Sequence, residues 1–360
     1  MKRIDLVVGA RPNFIKAFPV FDALEKVGSF NLRLINTGQH YDKNMADIFF
    51  QQLNIKTPDI DLMVGSGTHA NQTAKIMVEI EKVFIDNRPD LVMVFGDVNS
   101  TIATALSAAK LQIPIAHVEA GLRSFDRTMP EEINRVLTDQ ISELLFITSI
   151  DAKDNLLKEG KKENQVIFVG NTMIDSLVRF EKVFENQTIL EKFDLVSQNY
   201  ILATIHRPSN VDNPLKLNKL INALNIISES QSIVWPVHPR TKKMIDLYEA
   251  NLSANIFITN PIGYLEFMGL QKNAKKIITD SGGVQEESTY FGVPCYTVRD
   301  NTERPITISQ GTNILAGTDF NKLPDLISKK KINLNKKPQI PHFWDGKSSE
   351  RILKHLTSYL

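Results

Sequence analysis

The chain has 360 residues, 42% hydrophobic and 23% charged, so at ~150 residues per domain about two globular domains are expected. Lys and Arg number 42 against 41 Asp and Glu, and the net charge of +1 excludes the broad basic surface of a nucleic-acid binder as a starting hypothesis. A single cysteine, Cys295, excludes an intrachain disulfide and a cysteine-rich zinc site, and no apolar run approaches the ~20 residues needed to span a bilayer.

The N-terminus reads as a first strand and not as a signal peptide, and the expected compartment is a reducing cytoplasm. Short β-branched runs then alternate with longer amphipathic stretches, the pattern of βαβ units around parallel sheets. The first run, residues 4–8, ends at Gly9-Ala-Arg-Pro12, where proline suits the first turn of a helix. That helix is expected over residues 13–26, with Phe14, Ala17, Phe18, Phe21 and Leu24 at helical spacing. Strands follow over residues 32–36, 91–95, 113–118, 144–148 and 166–169. The second half repeats the pattern with strands over residues 200–204, 233–237, 277–279 and 293–298. A boundary is expected near Gly170-Asn171, giving domains 1–170 and 171–345, with a C-terminal helix over 346–360 packing back on the first. The lysine-rich zone over residues 329–341 reads as a solvated linker.

Polar residues gather at the carboxyl ends of these strands, where open parallel sheets bind ligands. Asp97 and Glu119 follow apolar strands, and Glu131 follows Pro130 at a helix start, so the three are candidate acid/base groups or, for Glu131, a dipole-favoured helix acid. Asp280-Ser-Gly-Gly-Val-Gln-Glu-Glu287 carries a strand into a helix; a phosphate site and a plain helix cap built from Asp280 or Ser281 fit this segment equally. Taken singly, Arg11, Lys16 and Arg304 read as surface charges; together they suit a diphosphate. His206 and His238 show no metal-ligand spacing, and Cys295 lies within an apolar strand, which disfavours it as a nucleophile.

Assembled in order, Gly9-Ala-Arg-Pro-Asn-Phe-Ile-Lys16, Thr37-Gly-Gln-His40, Gly96-Asp97, His117-Val-Glu-Ala-Gly-Leu-Arg123, Pro130-Glu-Glu132 and Gly170-Asn-Thr172 resemble the non-hydrolysing UDP-N-acetylglucosamine 2-epimerases. His206-Arg207, Pro236-Val-His238, the 280–287 segment and Arg299-Asp-Asn-Thr-Glu-Arg-Pro305 extend the resemblance through the second half. It implies an α/β fold of two Rossmann-like domains facing a central cleft, the glycosyltransferase B architecture. The implied reaction interconverts UDP-N-acetylglucosamine and UDP-N-acetylmannosamine by anti elimination of UDP, giving 2-acetamidoglucal, and its re-addition.

By the same resemblance Asp97, Glu119 and Glu131 supply the acid/base carboxylates and His206 assists near the diphosphate. Arg11, Ser281, Gly282 and Gly283 hold the diphosphate, Phe267 contacts the uracil region and Glu287 the ribose, and Lys16 and Arg304 match family cations. No cofactor or metal is implied; the partners are a UDP-sugar and a second copy in a homodimer, with no nucleic acid or membrane. Gln39, Arg207 and His238 match a site for an activating second UDP-N-acetylglucosamine, where Asp42 and Ser209 depart from the family pattern. The departures leave open an epimerase for a modified UDP-sugar such as a diacetamido uronic acid; a glycosyltransferase and a UDP-sugar sensor of the same architecture are the other readings.

Overall fold

The computed structural model describes residues 1–39, 56–185, 188–329 and 339–360. The chain divides into two units, Met1–Arg179 with His342–Leu360, and Phe180–Pro341. Each is built on a parallel sheet.

In the first unit the strands are β1 (Lys2–Val8), β2 (Phe30–Asn36), β3 (Ile60–Asp61), β4 (Leu91–Phe95), β5 (Ile115–Ala120), β6 (Leu144–Ile147) and β7 (Val166–Phe168), in the spatial order 3-2-1-4-5-6-7. The connecting helices are α1 (Arg11–Val27), α2 (His69–Asp86), α3 (Asn99–Lys110), α4 (Pro130–Ile141), α5 (Ile150–Lys158) and α6 (Thr172–Glu185). β4 is apolar at every position and wholly buried, as expected of a central strand covered on both faces. α1 has Pro12 in its first turn, ends on left-handed Gly28, and buries the predicted stripe of Phe14, Ala17, Phe18, Phe21 and Leu24.

The second unit holds β8 (Ile201–Thr204), β9 (Ile233–Pro236), β10 (Ile256–Thr259), β11 (Lys276–Thr279), β12 (Cys295–Thr297) and β13 (Asn313–Leu315), in the order 10-9-8-11-12-13. Its longer helices are α7 (Pro214–Ser228), α8 (Pro239–Leu247), α9 (Tyr264–Asn273) and α10 (Gly282–Phe291). Both strand orders reverse direction beside the first strand of the unit, the doubly wound arrangement in which ligands bind beyond the carboxyl ends. The strands β3, β10 and β13 were not foreseen; all three lie at sheet edges and are too short to show a period.

The division of the chain departs from the expected boundary. It falls inside α6, after Arg179, and not at Gly170-Asn171. Gly170 has φ +91°, and a Cβ there would run into the Phe343 carbonyl oxygen, so this glycine marks a close crossing of chains and not a linker. The crossing chain is the C-terminal segment. Trp344, buried, donates from Nε1 to the Thr148 carbonyl at 3.0 Å, and the Asp175 carboxylate accepts from Ser348 and Ser349 N–H at 3.0 and 2.7 Å. α11 (Ser348–Tyr359) thereby starts on a carboxylate from α6 and packs against α1. Most of the lysine-rich zone over residues 329–341 lies outside the described residues.

Candidate active site

At the carboxyl edge of the first sheet, the chain leaves β4 through Gly96 at φ +64° and presents Asp97. Asn13 Nδ2 and the Thr101 hydroxyl both donate to the Phe95 carbonyl, at 2.8 and 2.9 Å, and fix that exit. On the neighbouring strand Glu119 does not follow β5 but lies within it, at a register shift between Val118 and Ala120. Its φ of +77° costs a non-glycine residue roughly 1–3 kcal/mol, a strain that persists only where surrounding contacts impose it. Such bulges re-aim a side chain beside a functional site.

Both acids meet a buried cation. Lys16, from α1, forms an ion pair with Glu119, and the pair is more than nine-tenths buried on both sides. Arg135, from α4, forms an ion pair with Asp97 and a second with Glu132 at 2.6 Å. Glu132 also accepts from the Ser124 N–H and hydroxyl and from Phe125 N–H, each at 2.9 Å, so it folds the loop between Glu119 and Glu131 onto the helix. Glu131 itself is exposed in the first turn of α4. Lys16 is therefore not a surface charge: its side chain is buried and Glu119 takes its ammonium. Arg11, at the first position of α1, is exposed.

In the second unit β8 and β11 end side by side, and Asp280 lies buried between their loops. It does not cap α10. Instead it accepts from the N–H groups of His206 and Arg207 at 3.0 and 2.8 Å and from Asn210 Nδ2 at 3.1 Å, with His206 Nδ1 at 3.1 Å. Burial opposes the charge of Asp280, but these donors outweigh it and hold the carboxyl below its usual value. Ser281 occupies the cap position of α10 without a side-chain capping bond, which sets aside the reading of this segment as a plain side-chain cap.

A side chain at Gly282 would collide with Arg304 Nη1, so the glycine there makes room for a guanidinium. Arg304, too, is not a surface charge: it is buried against Glu303 at 2.5 Å and Glu286 at 2.9 Å, and Arg299 meets the other oxygen of Glu303 at 2.8 Å. Gly283 follows in the first turn of α10. One helical turn on, Glu287 is buried and accepts from Gln271 Nε2 at 2.6 Å. Phe267, also on α9, is half-buried against the core beneath it. Burial and the charge of Glu287 push the Tyr264 hydroxyl well above its usual pKa.

The remaining candidates scatter. His238 is exposed, caps α8 by accepting from Arg240 N–H at 3.2 Å, and its ring lies 5.7 Å from that of His206. Ser209 is exposed on the one-turn helix Pro208–Val211. In the first unit, the Gln39 side-chain oxygen is buried and accepts the N–H and hydroxyl of Ser100 at 3.1 and 2.7 Å. Asp42, and His40 of the quoted motif, lie outside the described residues. The Cys295 thiol is fully buried and pushed up to about 12 by that burial, a state in which it does not act as a nucleophile. No described helix is long and apolar enough to cross a membrane.

A model of the UDP-N-acetylglucosamine 2-epimerase family matches residues 22–357. The chain belongs to that family. A UDP-N-acetylglucosamine 2-epimerase from Methanocaldococcus jannaschii is 47% identical, over 99% of this chain and 99% of its own. The crystal structure of the enzyme from that organism, in complex with UDP-N-acetylglucosamine and UDP, superposes with a TM-score of 0.90 at 46% identity, covering 99% of both chains. A UDP-2,3-diacetamido-2,3-dideoxy-D-glucuronate 2-epimerase from Pseudomonas aeruginosa is 41% identical, over 98% of this chain and 99% of its own.

For this epimerase-family chain, sequence reasoning singled out the acids, and Lys16 only as a cation for the diphosphate and not as the partner of Glu119. Arg135 and Glu132 were missed as partners, although their spacing of three on a helix was visible. His117 and Asp139, whose side chains meet at 2.7 Å in the fully buried interior, were missed as well. No local pattern connects a strand histidine to a helix aspartate.

Proposed function

We propose that this chain interconverts UDP-N-acetylglucosamine and UDP-N-acetylmannosamine. A base removes the C2 proton while the C1–O bond to UDP breaks on the opposite face, leaving 2-acetamidoglucal and UDP. Re-addition returns UDP to C1 and a proton to the other face of C2. The reaction is redox-neutral and consumes nothing.

The observation that carries this reading is the pair of carboxylates on adjacent strand ends, Asp97 and Glu119, each against a buried cation. The cations hold the two side chains in place, and a strained backbone fixes where the Glu119 carboxylate stands. Asp97, Glu119 and the exposed Glu131 exchange protons at C2, and His206 assists at the diphosphate. Arg11, Ser281, Gly282 and Gly283 bind the diphosphate, Glu287 the ribose hydroxyls and Phe267 the uracil, while Lys16 and Arg304 are the cations that match those of the family. The buried carboxylate of Glu287 suits two vicinal hydroxyls, because each donates a charge-assisted hydrogen bond.

Gln39, Arg207 and His238 belong in this reading to an activator site, which Asp42 and Ser209 weaken. A cytoplasmic setting is supported by the free, buried thiol of Cys295; a homodimer rests on the family resemblance.

Incubation with UDP-N-acetylglucosamine in deuterated water, followed by NMR, tests the reaction. Deuterium at C2 of both epimers is the expected result. Epimerised product without solvent label refutes elimination, and release of N-acetylmannosamine with UDP as the main outcome indicates a hydrolysing enzyme. The Pseudomonas aeruginosa relative supplies the competing substrate class. Exchange confined to the diacetamido uronic acid sugar would transfer the same chemistry to that substrate.

A further inference from the structure

His117, fully buried on β5, stands between two acceptors: Nδ1 lies 2.7 Å from Asp139 Oδ1 and Nε2 lies 2.8 Å from the Gly96 carbonyl oxygen. A carboxylate and an amide carbonyl have no proton to offer, so each ring nitrogen must carry its own. The ring is then an imidazolium. Asp139 is the matching anion: its Oδ2 accepts from Gly121 N–H at 3.1 Å and pairs with Arg123 Nη2 at 2.7 Å. Burial opposes ionisation of Asp139, but His117 and Arg123 outweigh it and hold the carboxyl below its usual value.

Arg123 is backed by Glu159, Lys161 acts on Asp139 from the loop after α5, and Lys16 lies against the Gly96 turn.

The cluster grips each acid-bearing segment. His117 precedes Glu119 by two residues and Gly121 follows it by two, and both bind the same carboxylate of Asp139. One side chain thus clamps both shoulders of the bulge that holds Glu119 at φ +77°. The other end of His117 holds the carbonyl of the residue immediately before Asp97. Asp139 sits on α4, which holds Glu131 in its first turn and carries Arg135 to Asp97.

We propose that His117, as an imidazolium bridging Asp139 and the Gly96 carbonyl, is a positioning residue that fixes Asp97 and Glu119 relative to one another. The inference rests on the reading of Asp97 and Glu119 as the groups that exchange protons with the sugar. His117 itself exchanges none, because both nitrogens are engaged and buried.

Nitrogen-15 NMR of the histidine-labelled full chain tests the protonation state without reference to activity. Two protonated ring nitrogens at neutral pH are expected for His117, and a neutral ring overturns the proposal. His117→Gln and Asp139→Asn test the positioning role. In each folded variant kcat is expected to fall by about 10²-fold, as misplacement by ~1 Å does, while KM and UDP affinity stay within about threefold. The share of turnovers ending in free 2-acetamidoglucal and UDP rises, because a displaced acid cannot complete re-addition. Folded variants with wild-type kcat and no rise in released glucal overturn the proposal. Should both variants fail to fold, the wild-type NMR result still decides on the imidazolium. Wild-type protein that places no deuterium at C2 of either UDP-sugar refutes the parent reading instead, a result distinct from active wild type with indifferent variants.

Discussion

Replacing Arg135 by methionine removes the cation that Asp97 and Glu132 share. Arg135 and Glu132 side chains are each 2% exposed, and Asp97 is only partly so. Methionine fills most of the volume, so the perturbation is electrostatic: one buried carboxylate and one half-buried carboxylate lose their counter-charge. Breaking a buried pair by deleting one partner costs about 3–5 kcal/mol, because the remaining charge stays desolvated. For a cooperative unit of 150–250 residues, each kcal/mol lowers Tm by roughly 2–4 °C, so the transition of the first unit should fall by roughly 6–20 °C at pH 7. The penalty should shrink as the pH falls, since an unpaired buried carboxyl takes up a proton more readily than a paired one. Arg135→Lys keeps the charge but lacks the planar fork that reaches two carboxylates, and should fall between the two. Calorimetric scans of the three proteins at pH 7 and pH 5 provide the assay. A shift in Arg135→Met within that of an ordinary surface substitution, about 0.5 kcal/mol, or one that grows in acid, would refute the reasoning.

The other expectations concern catalysis, binding and pH. Asp97→Asn and Glu119→Gln should each lower kcat by roughly 10²-fold or more with UDP affinity retained, and near-normal turnover removes the residue from the reaction. Glu287→Ala and Arg11→Ala should weaken UDP binding by about 1.5–3 kcal/mol each in titration calorimetry, with unchanged affinity as the refuting result. The carboxyl of Asp280 titrates below its unfolded value of 3.8, so its contribution to stability is complete above that pH and is lost as the pH falls through the lower folded value. The difference in urea midpoint between wild type and Asp280→Asn should thus be constant at neutral pH and narrow below about 4, whereas a gap unchanged into strong acid contradicts it. Started from UDP-N-acetylmannosamine alone, the enzyme should show little lag; a pronounced lag that a trace of UDP-N-acetylglucosamine abolishes, together with sigmoidal kinetics lost in Arg207→Ala, shows that the activator site survives.

What the sequence determined by itself was local. Runs such as residues 91–95 are apolar at every position because a central parallel strand has no wet face, and the adjoining Gly96 marks the turn that presents Asp97. The order of glycine, acid and histidine motifs along the chain was enough to indicate the family, since most of these motifs are a strand end with its turn and Pro130-Glu-Glu132 is a helix start. Tertiary structure decided the partners. That Lys16 reaches Glu119, Arg135 reaches Asp97 and His117 reaches Asp139 follows from which strands lie side by side, and no periodicity encodes that. It decided the units as well: Gly170 has the composition of a linker, yet its missing side chain serves to let Phe343 cross, and the C-terminal segment thereby joins the first unit. A glycine records that something approaches closely; only the folded chain shows what.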